Sequence, residues 1–472
     1  MNPFFIPIYQ LYLLQLENYE IFRYWRLLFL KGYVSPNEPL RKSIVWTQKA
    51  LGILVLAVVC YVGSLAIVLF STSALFALAY LIFGLFLFPV FYTLALFILF
   101  PIDTLIKFVV ITQAKQLLSS SNHAKVIAIA GSYGKTTMKN VISYVLSTKF
   151  NVITTPESVN TPIGVAQWFL KNFKQTTDIV IMEMGEHYRG DIAYLCTITP
   201  PDFAVLTGIN EAHLERLQTL ETSIATMFEI VEHAKENAAI FLNADDEHIR
   251  NKYKKYSNGK QISFYSSLNN PLTKLKTAKK VFDEQKLHWS CTTETVGNIT
   301  IPLLGEYAIS DVVAAILIGK ILGMSVDDIK KGIASLSPIS HRLEPIQGKG
   351  GVLVIDDSYN GNPDGVYEAI RVLSRFKNRR KIFITPGLVE LGDKAVLIHE
   401  EIGRALAEVA DCVILIKNSV TPYIEKGLKE KKFDESKIIW FNTAIDAHAS
   451  LPNIMKENDV ILFQNDWGDQ YI

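Results

Sequence analysis

The sequence predicts an α/β protein in which an N-terminal transmembrane helical hairpin precedes two domains built on parallel sheets. Three observations predict it. Two long apolar runs near the N-terminus carry no charge, a glycine-rich loop at Gly131–Thr137 joins a strand to a helix, and an alternation of strands and helices starts there and restarts near residue 340. A chain of 472 residues has room for two or three domains at about 150 residues each. With 49% hydrophobic and 20% charged residues it can fill their cores.

No charged residue interrupts Ala50–Phe70 or Ala74–Phe100, and only Ser71-Thr72-Ser73 separates the two runs. A bilayer core needs about 20 apolar residues at helical rise, so each run is long enough to span. Pro89 is the expected kink in the second span. A pair of buried soluble helices is the competing reading, but core helices seldom stay uncharged for so long. Arg41, Lys42 and Lys49 precede the hairpin, Lys107 and Lys115 follow it, and the turn has no basic residue. The positive-inside tendency then puts the N-terminus and everything after the hairpin in the cytoplasm. Residues 1–45 mix Tyr9, Tyr12, Tyr19, Phe22, Tyr24, Trp25 and Phe29 with Arg23, Arg26 and Lys31. That mixture suits an amphipathic interfacial segment and equally one that packs against the hairpin. The hairpin with its connecting helix is assigned to 46–118.

Beyond Ser121 the texture is soluble α/β. Lys125–Ala130, Ile179–Met182, Phe203–Leu206 and Ala239–Leu242 read as strands of a central domain, 119–340, between helical stretches such as the one from about Thr136 to Thr148. Gly351–Ile355, Lys381–Ile384, Cys412–Ile416 and Val460–Phe463 read as strands of a smaller Rossmann-like domain, 341–472, with helices at Pro363–Phe376 and Ala395–Glu408. Four scattered cysteines include no CxxC pair, which argues against a zinc ribbon and a disulfide framework. A net charge of +1 without a long basic run gives no reason to expect nucleic acid.

The loop Gly131-Ser132-Tyr133-Gly134-Lys135-Thr136-Thr137 lies where a phosphate-binding loop must lie. Glycines let backbone N–H groups converge on an anion, and the helix N-terminus adds its dipole. Lys135 is expected on the β and γ phosphates of ATP, and the Thr136 hydroxyl on Mg²⁺. Glu183 ends an apolar strand, and His213 follows Phe203–Leu206 at the same edge of the sheet. A carboxylate and an imidazole there could complete the Mg²⁺ site, although taken singly either residue could be structural.

Several runs recur together in order: GSYGKTT at 131–137, NTPIG at 160–164, EMGEHYRGDI at 183–192, PDFAVLTGINEAHLE at 201–215, NADD at 243–246, HRLE at 341–344, DDSYNGNPDG at 356–365 and TPGLVELG at 385–392. Together they resemble the Mur ligase family, and most closely its MurF branch, which joins D-Ala-D-Ala to a UDP-muramoyl-tripeptide. The resemblance covers roughly residues 120–465. It implies an ATP-dependent ligase of cell-wall peptidoglycan precursors in which a substrate carboxylate is activated as an acyl phosphate and an amine then forms the amide. It also implies that Lys135, Glu183, His213 and Arg342 are catalytic and that Thr136, Glu183 and His213 hold Mg²⁺. The nucleotide would be held by Gly131 to Thr137, Asp311, Arg342, Asp357, Tyr359 and Asn360.

The chain departs from the family pattern in four places. Met227 stands where the family has a lysine that is carboxylated to a carbamate, and a thioether is a poor Mg²⁺ ligand. Asp311 stands where the family uses an asparagine on the nucleotide. The hairpin takes the place of the small domain that binds uridine diphosphate. The run Gln464 to Tyr471 differs from the branch's Lys-Gly-Ser run. The expected partners are therefore a UDP- or lipid-linked muramoyl-peptide, an amino acid or dipeptide, and the membrane. Two alternatives stay open: another Mur-like amino-acid ligase, and a non-catalytic nucleotide-binding membrane scaffold.

Overall fold

A computed structural model of the protein describes residues 5–31, 44–121, 123–157, 159–186, 188–212, 214–257, 259–268, 270–359, 361–389 and 391–465. The chain divides into two compact units, Met1–Val110 and Ile111–Ile472.

In the first unit the apolar runs form the helices Gln48–Ser71 and Ala74–Phe83, a 3₁₀ turn Gly84–Leu87, and the helix Phe88–Ser119. The Thr47 hydroxyl caps the first by accepting from Ala50 N–H at 3.0 Å. The helical path tightens into a 3₁₀ turn at Gly84–Leu87, upstream of the expected kink at Pro89. Pro89 sits in the first turn of the next helix, where its missing N–H leaves no bond unmade. Two helical stretches, Gln48–Ser71 and Leu75–Ser119, are long and apolar enough to cross a membrane, and only 17% and 28% of their most apolar windows are buried.

The segment before the hairpin forms the helices Phe5–Leu16 and Ile21–Lys31. They pack against the hairpin: Leu11, Leu14, Tyr24 and Leu28 are buried with Ile53, Ala57, Phe88, Tyr92 and Ala95. The Tyr92 hydroxyl donates to Pro7 O at 2.8 Å and Trp25 Nε1 to Thr93 Oγ1 at 3.1 Å. Composition could not separate this arrangement from an interfacial one.

The second unit carries three sheets. The first runs β2-β3-β1-β4-β5-β6, with β1 at Lys125–Ala130, β2 at Val152–Thr154, β3 at Ile179–Glu183, β4 at Phe203–Leu206, β5 at Ala239–Asn243 and β6 at Ile262–Tyr265. Every pairing in it is parallel. Parallel strands are covered on both faces, which is why these runs are nearly all apolar and do not alternate. The helix Lys135–Leu146 buries Met138, Val141, Ile142 and Val145 in the core shared with Ile127, Ile129 and Ile181. An antiparallel sheet of β7 (Thr277–Asp283), β8 (His288–Thr293) and β9 (Gly297–Ile301) went unread in the sequence. β7 carries Lys279, Lys280 and Asp283, and β8 and β9 are short alternations of buried and more exposed residues, so none offers a long apolar run.

The third sheet has the order β10-β11-β15-β12-β13-β14, with β10 at Glu344–Gln347, β11 at Leu353–Asp357, β12 at Lys381–Thr385, β13 at Cys412–Ile416, β14 at Ile438–Phe441 and β15 at Val460–Gln464. All its pairings are parallel except the edge strand β10. Asp356 and Asp357 close β11 and do not lie in the loop beyond it. The first and third sheets both present their polar residues at the carboxyl ends of their strands, where open α/β sheets bind ligands.

Candidate active site

The phosphate loop is held by its neighbours as much as by its own glycines. Gly131 and Gly134 adopt positive φ, +147° and +78°. A Cβ on Gly131 would strike the Thr207 hydroxyl and the Gly208 backbone, so the loop passes close over the end of β4. Ser132 N–H donates to Gly208 O at 2.8 Å, and the Thr207 hydroxyl donates to Tyr133 O. The Tyr133 ring occupies the space a Gly208 side chain would need. Its hydroxyl donates to Asp246 Oδ2 at 3.1 Å, and Ile209 N–H reaches the same oxygen at 2.8 Å. The NADD run is thereby a buttress for the loop. Ser132 Oγ is buried and has no hydrogen-bond partner among the described residues, in a site shaped for anions.

Four charges meet where β1 and β3 end. Lys135 Nζ donates to Gly131 O and lies 3.2 and 3.3 Å from the two carboxylate oxygens of Glu186. The Thr136 hydroxyl donates to Glu183 Oε2 at 3.3 Å. Lys139 Nζ lies 2.7 Å from Glu183 Oε1, too oblique for a hydrogen bond, and donates to Thr155 O at 2.7 Å. Lys139, Glu183 and Glu186 are all buried. Ions so deep persist only when paired, because taking one partner away leaves an uncompensated charge. Glu183 and Thr136 together present oxygen donors, the set that a hard cation such as Mg²⁺ prefers. The expected grouping of Lys135, Thr136 and Glu183 is thus present, whereas His213 lies outside the described residues.

The second cluster starts at Arg342, just before β10. Its Nη1 donates to Tyr359 O at 2.8 Å, and its guanidinium stacks 4.6 Å above the Tyr359 ring. Leu343 N–H donates to Asp357 Oδ1 at 3.2 Å. Burial pushes the Asp357 carboxyl up to about 7, against the pull of the Arg342 cation. Asn360 lies outside the described residues. Tyr307 lies between the clusters: burial, and after it the charges of Asp357, Glu368 and Asp311, push its hydroxyl above the ordinary range, with Thr137 of the phosphate loop pulling the other way. Asp311 is buried with no partner for Oδ2 among the described residues, and desolvation holds its carboxyl well above the ordinary range. Asn210 Nδ2 also crosses to the C-terminal half, donating to Asn362 Oδ1 at 3.1 Å and Asp364 Oδ2 at 2.7 Å.

Met227 is fully buried in the helix Leu220–Glu232. Two residues on, Glu229 accepts the N–H groups of Gly190 at 2.8 Å and Ala193 at 3.0 Å, tying this helix to the segment after β3.

The Mur ligase middle domain model matches residues 129–319, and the Mur ligase glutamate ligase domain model matches 341–464. A UDP-N-acetylmuramoyl-tripeptide--D-alanyl-D-alanine ligase of Buchnera aphidicola is 31% identical over 325 residues, 66% of this chain and 70% of that protein. The chain belongs to the Mur ligase family. Mur ligases are ATP-dependent enzymes that form carbon–nitrogen bonds, and this chain is one by membership. The Bacillus subtilis ligase of the same name is 27% identical over 346 residues, 73% of each chain. Among solved structures, the MurF ligase from Thermotoga maritima in complex with ADP has a TM-score of 0.67 and 27% identity, covering 76% of this chain and 80% of that one. A MurF from Acinetobacter baumannii superposes with a TM-score of 0.68 at 22% identity over 77% and 78% of the two chains, a likeness of fold.

Glu186, Lys139, Tyr307 and Asn210 went unmarked in the sequence. Lys139 was within reach of a simple argument, since it lies four residues after Lys135, on the same face of the helix.

Proposed function

We propose that this Mur ligase is membrane-anchored and MurF-like, and that it joins D-Ala-D-Ala or a related amine to the terminal carboxylate of a muramoyl-peptide at the expense of ATP. The observation that carries the reading is the convergence of Lys135, Thr136 and Glu183 around a glycine loop that also fits the family's middle domain.

Lys135 and the converging N–H groups of the loop bind the ATP phosphates and stabilise charge that grows on the transferring phosphoryl oxygens. Thr136, Glu183 and His213 are the residues for Mg²⁺, which neutralises phosphate charge when bound. Lys139 holds Glu183 in place through an ion pair of 2.7 Å. A carboxylate oxygen of the muramoyl-peptide attacks the γ-phosphorus and the bond to the β-phosphate oxygen breaks, giving an acyl phosphate and ADP. The amine nitrogen then attacks the acyl carbon, inorganic phosphate leaves, and the amine proton goes to solvent. Arg342, Asp357, Tyr359, Asn360 and Asp311 hold the nucleotide.

Two apolar helices whose side chains are largely exposed support the anchor, with the ligase part on the cytoplasmic side. An anchored enzyme can meet its acceptor in solution as a UDP-linked peptide or at the membrane as a lipid-linked one. Phosphate release by the full-length protein in detergent, with ATP, D-Ala-D-Ala and each acceptor in turn, tests the reading. Release that needs both an acceptor and the amine supports it. ATP binding without release on any acceptor sinks it in favour of a nucleotide-binding scaffold.

A further inference from the structure

The amino edge of the third sheet carries a charge that the ligase reading does not use. A groove of about 820 Å³ opens where β12, β13, β14 and β15 begin, the opposite edge from Asp357. Lys377, Arg379, Arg380, Lys381, Lys437 and Lys456 line it, against one carboxylate, Asp411. The net charge of the whole chain is only +1. The cations come from three segments that the fold brings together, which is why no long basic run marks them.

Two of the six serve the fold. Arg380 pairs with the buried Asp459 at 2.6 Å, and Lys381 with Asp411 at 3.1 Å. Arg379 Nη1 donates to Gly351 O at 3.0 Å, which leaves its charge uncancelled. Lys437 stands 3.7 Å from Asp434, an exposed pair that is worth little. Lys377 and Lys456 are exposed, and neither ammonium has an ion-pair partner among the described residues. Cations gathered in a cleft repel one another and focus a field that draws anions.

The kind of anion follows from how the backbone is used. A discrete phosphate site converges free N–H groups on its ligand. Here those groups are already taken. Lys377 N–H donates to Glu284 Oε2 at 3.3 Å, Lys381 N–H to Asp411 Oδ2 at 2.8 Å, Lys437 N–H to Asp434 O at 2.9 Å and Lys456 N–H to Asp459 Oδ2 at 2.7 Å. The helices Pro363–Ser374 and Ala444–Ile454 end just before Lys377 and Lys456, so they bring C=O groups to this edge. What is left is long, flexible cationic side chains with the exposed Met455 beside them. Such a set suits a diffuse anionic surface, with charge for headgroups and an apolar side chain for the acyl boundary.

We propose that this groove docks on anionic phospholipid headgroups of the cytoplasmic leaflet. This rests on the reading of the hairpin as a membrane anchor, which keeps those headgroups at a high effective concentration. Docking by the amino edge leaves the carboxyl edge, with Asp357, open to nucleotide.

Hydrogen–deuterium exchange of the full-length chain in lipid nanodiscs tests this. In discs with about 30% phosphatidylglycerol, residues 377–380 and 455–457 should exchange at least about fivefold more slowly than in phosphatidylcholine discs, the factor that one cation gains at an anionic surface. The protection should vanish at about 0.5 M NaCl, where charges are screened beyond a few ångströms. It should vanish also in a chain carrying Lys377→Gln, Lys437→Gln and Lys456→Gln, whose β12 and β13 amides should exchange as in wild type. Equal exchange in the two discs overturns the proposal, as does protection that survives the three substitutions. Equal protection in phosphatidylcholine discs on adding inorganic pyrophosphate or a short RNA overturns it in favour of a soluble polyanion. Should the triple variant fail to fold, the lipid and salt dependence of wild type decides. A chain that enters neither disc defeats the anchor and the docking with it, an outcome distinct from equal exchange in both.

Discussion

The two carboxyl edges of the ligase unit handle buried charge in opposite ways. At the end of β1 and β3 every buried ion has a counter-ion: Lys135 faces Glu186 and Lys139 faces Glu183. Where β11 ends, and on the adjoining helix Tyr307–Ile321, carboxyls are buried with weak or no compensation. Among the described residues Asp357 has Arg342 and the Leu343 N–H, and Asp311 has an oxygen with no partner. The first edge pairs its cations with carboxylates, and at the second burial raises the carboxyls so that they hold protons toward neutrality. The contrast suits a division of labour in which one edge meets the phosphates and the other offers hydrogen bonds.

The largest effect should come from the paired edge. Lys135→Ala removes the phosphate cation and should lower ATP-dependent phosphate release by about a hundredfold or more, read in the coupled assay. Full activity would break the assignment of the loop. Lys139→Met should cost about 3–5 kcal/mol of stability by stranding Glu183 as a buried charge. Thermal unfolding measures this, and adding Glu183→Gln should restore most of the loss if the pair is the cause.

The second edge predicts a dependence on pH. The Asp357 carboxyl is raised from 3.8 to about 7 in the fold. Its neutral form is the favoured one, so its contribution to stability is complete below about pH 4 and is lost as pH rises toward 7. Asp357→Asn should remove that slope, by a few kcal/mol at most, in denaturant titrations at pH 5 and pH 8. Asp311 is raised in the same direction. A protonated carboxyl and an amide each offer a donor and an acceptor, so Asp311→Asn should leave nucleotide affinity within about threefold and raise stability at neutral pH. A sharp loss of affinity would mean that the ionised form is the one used. The smallest effect belongs to the half-exposed pair of Lys394 with Glu211, 3.0 Å apart, whose removal by Lys394→Ala should cost under about 1 kcal/mol.

How much of this was legible followed from the kind of signal each feature leaves. The strands of both parallel sheets stand out as apolar runs, so Phe203–Leu206 and Cys412–Ile416 could be bounded to the residue. The glycine loop announces itself because positive φ at Gly131 and Gly134 demands glycine. Lys139, Glu186 and Tyr307 carry no such mark, since a charged residue near a strand or helix end is usually solvated. Their importance comes from burial and pairing, which depend on chain segments 16 to 51 residues apart: Lys139 on Thr155 and Glu183, Glu186 on Lys135. The packing of residues 5–31 on the hairpin was undecidable for the same reason, because an amphipathic helix reads alike on lipid and on protein.

The central claim is that Gly131–Thr137 binds ATP for amide formation on a muramoyl-peptide. The most direct test is a mass-spectrometric assay of the full-length protein with ATP, Mg²⁺, D-Ala-D-Ala and UDP- or lipid-linked muramoyl-peptide, run beside Lys135→Ala. The account predicts a product heavier by the amine less one water, one ADP per product, and none from the variant. Product formed equally well by Lys135→Ala, or ATP bound by wild type with no product on either acceptor, would contradict it.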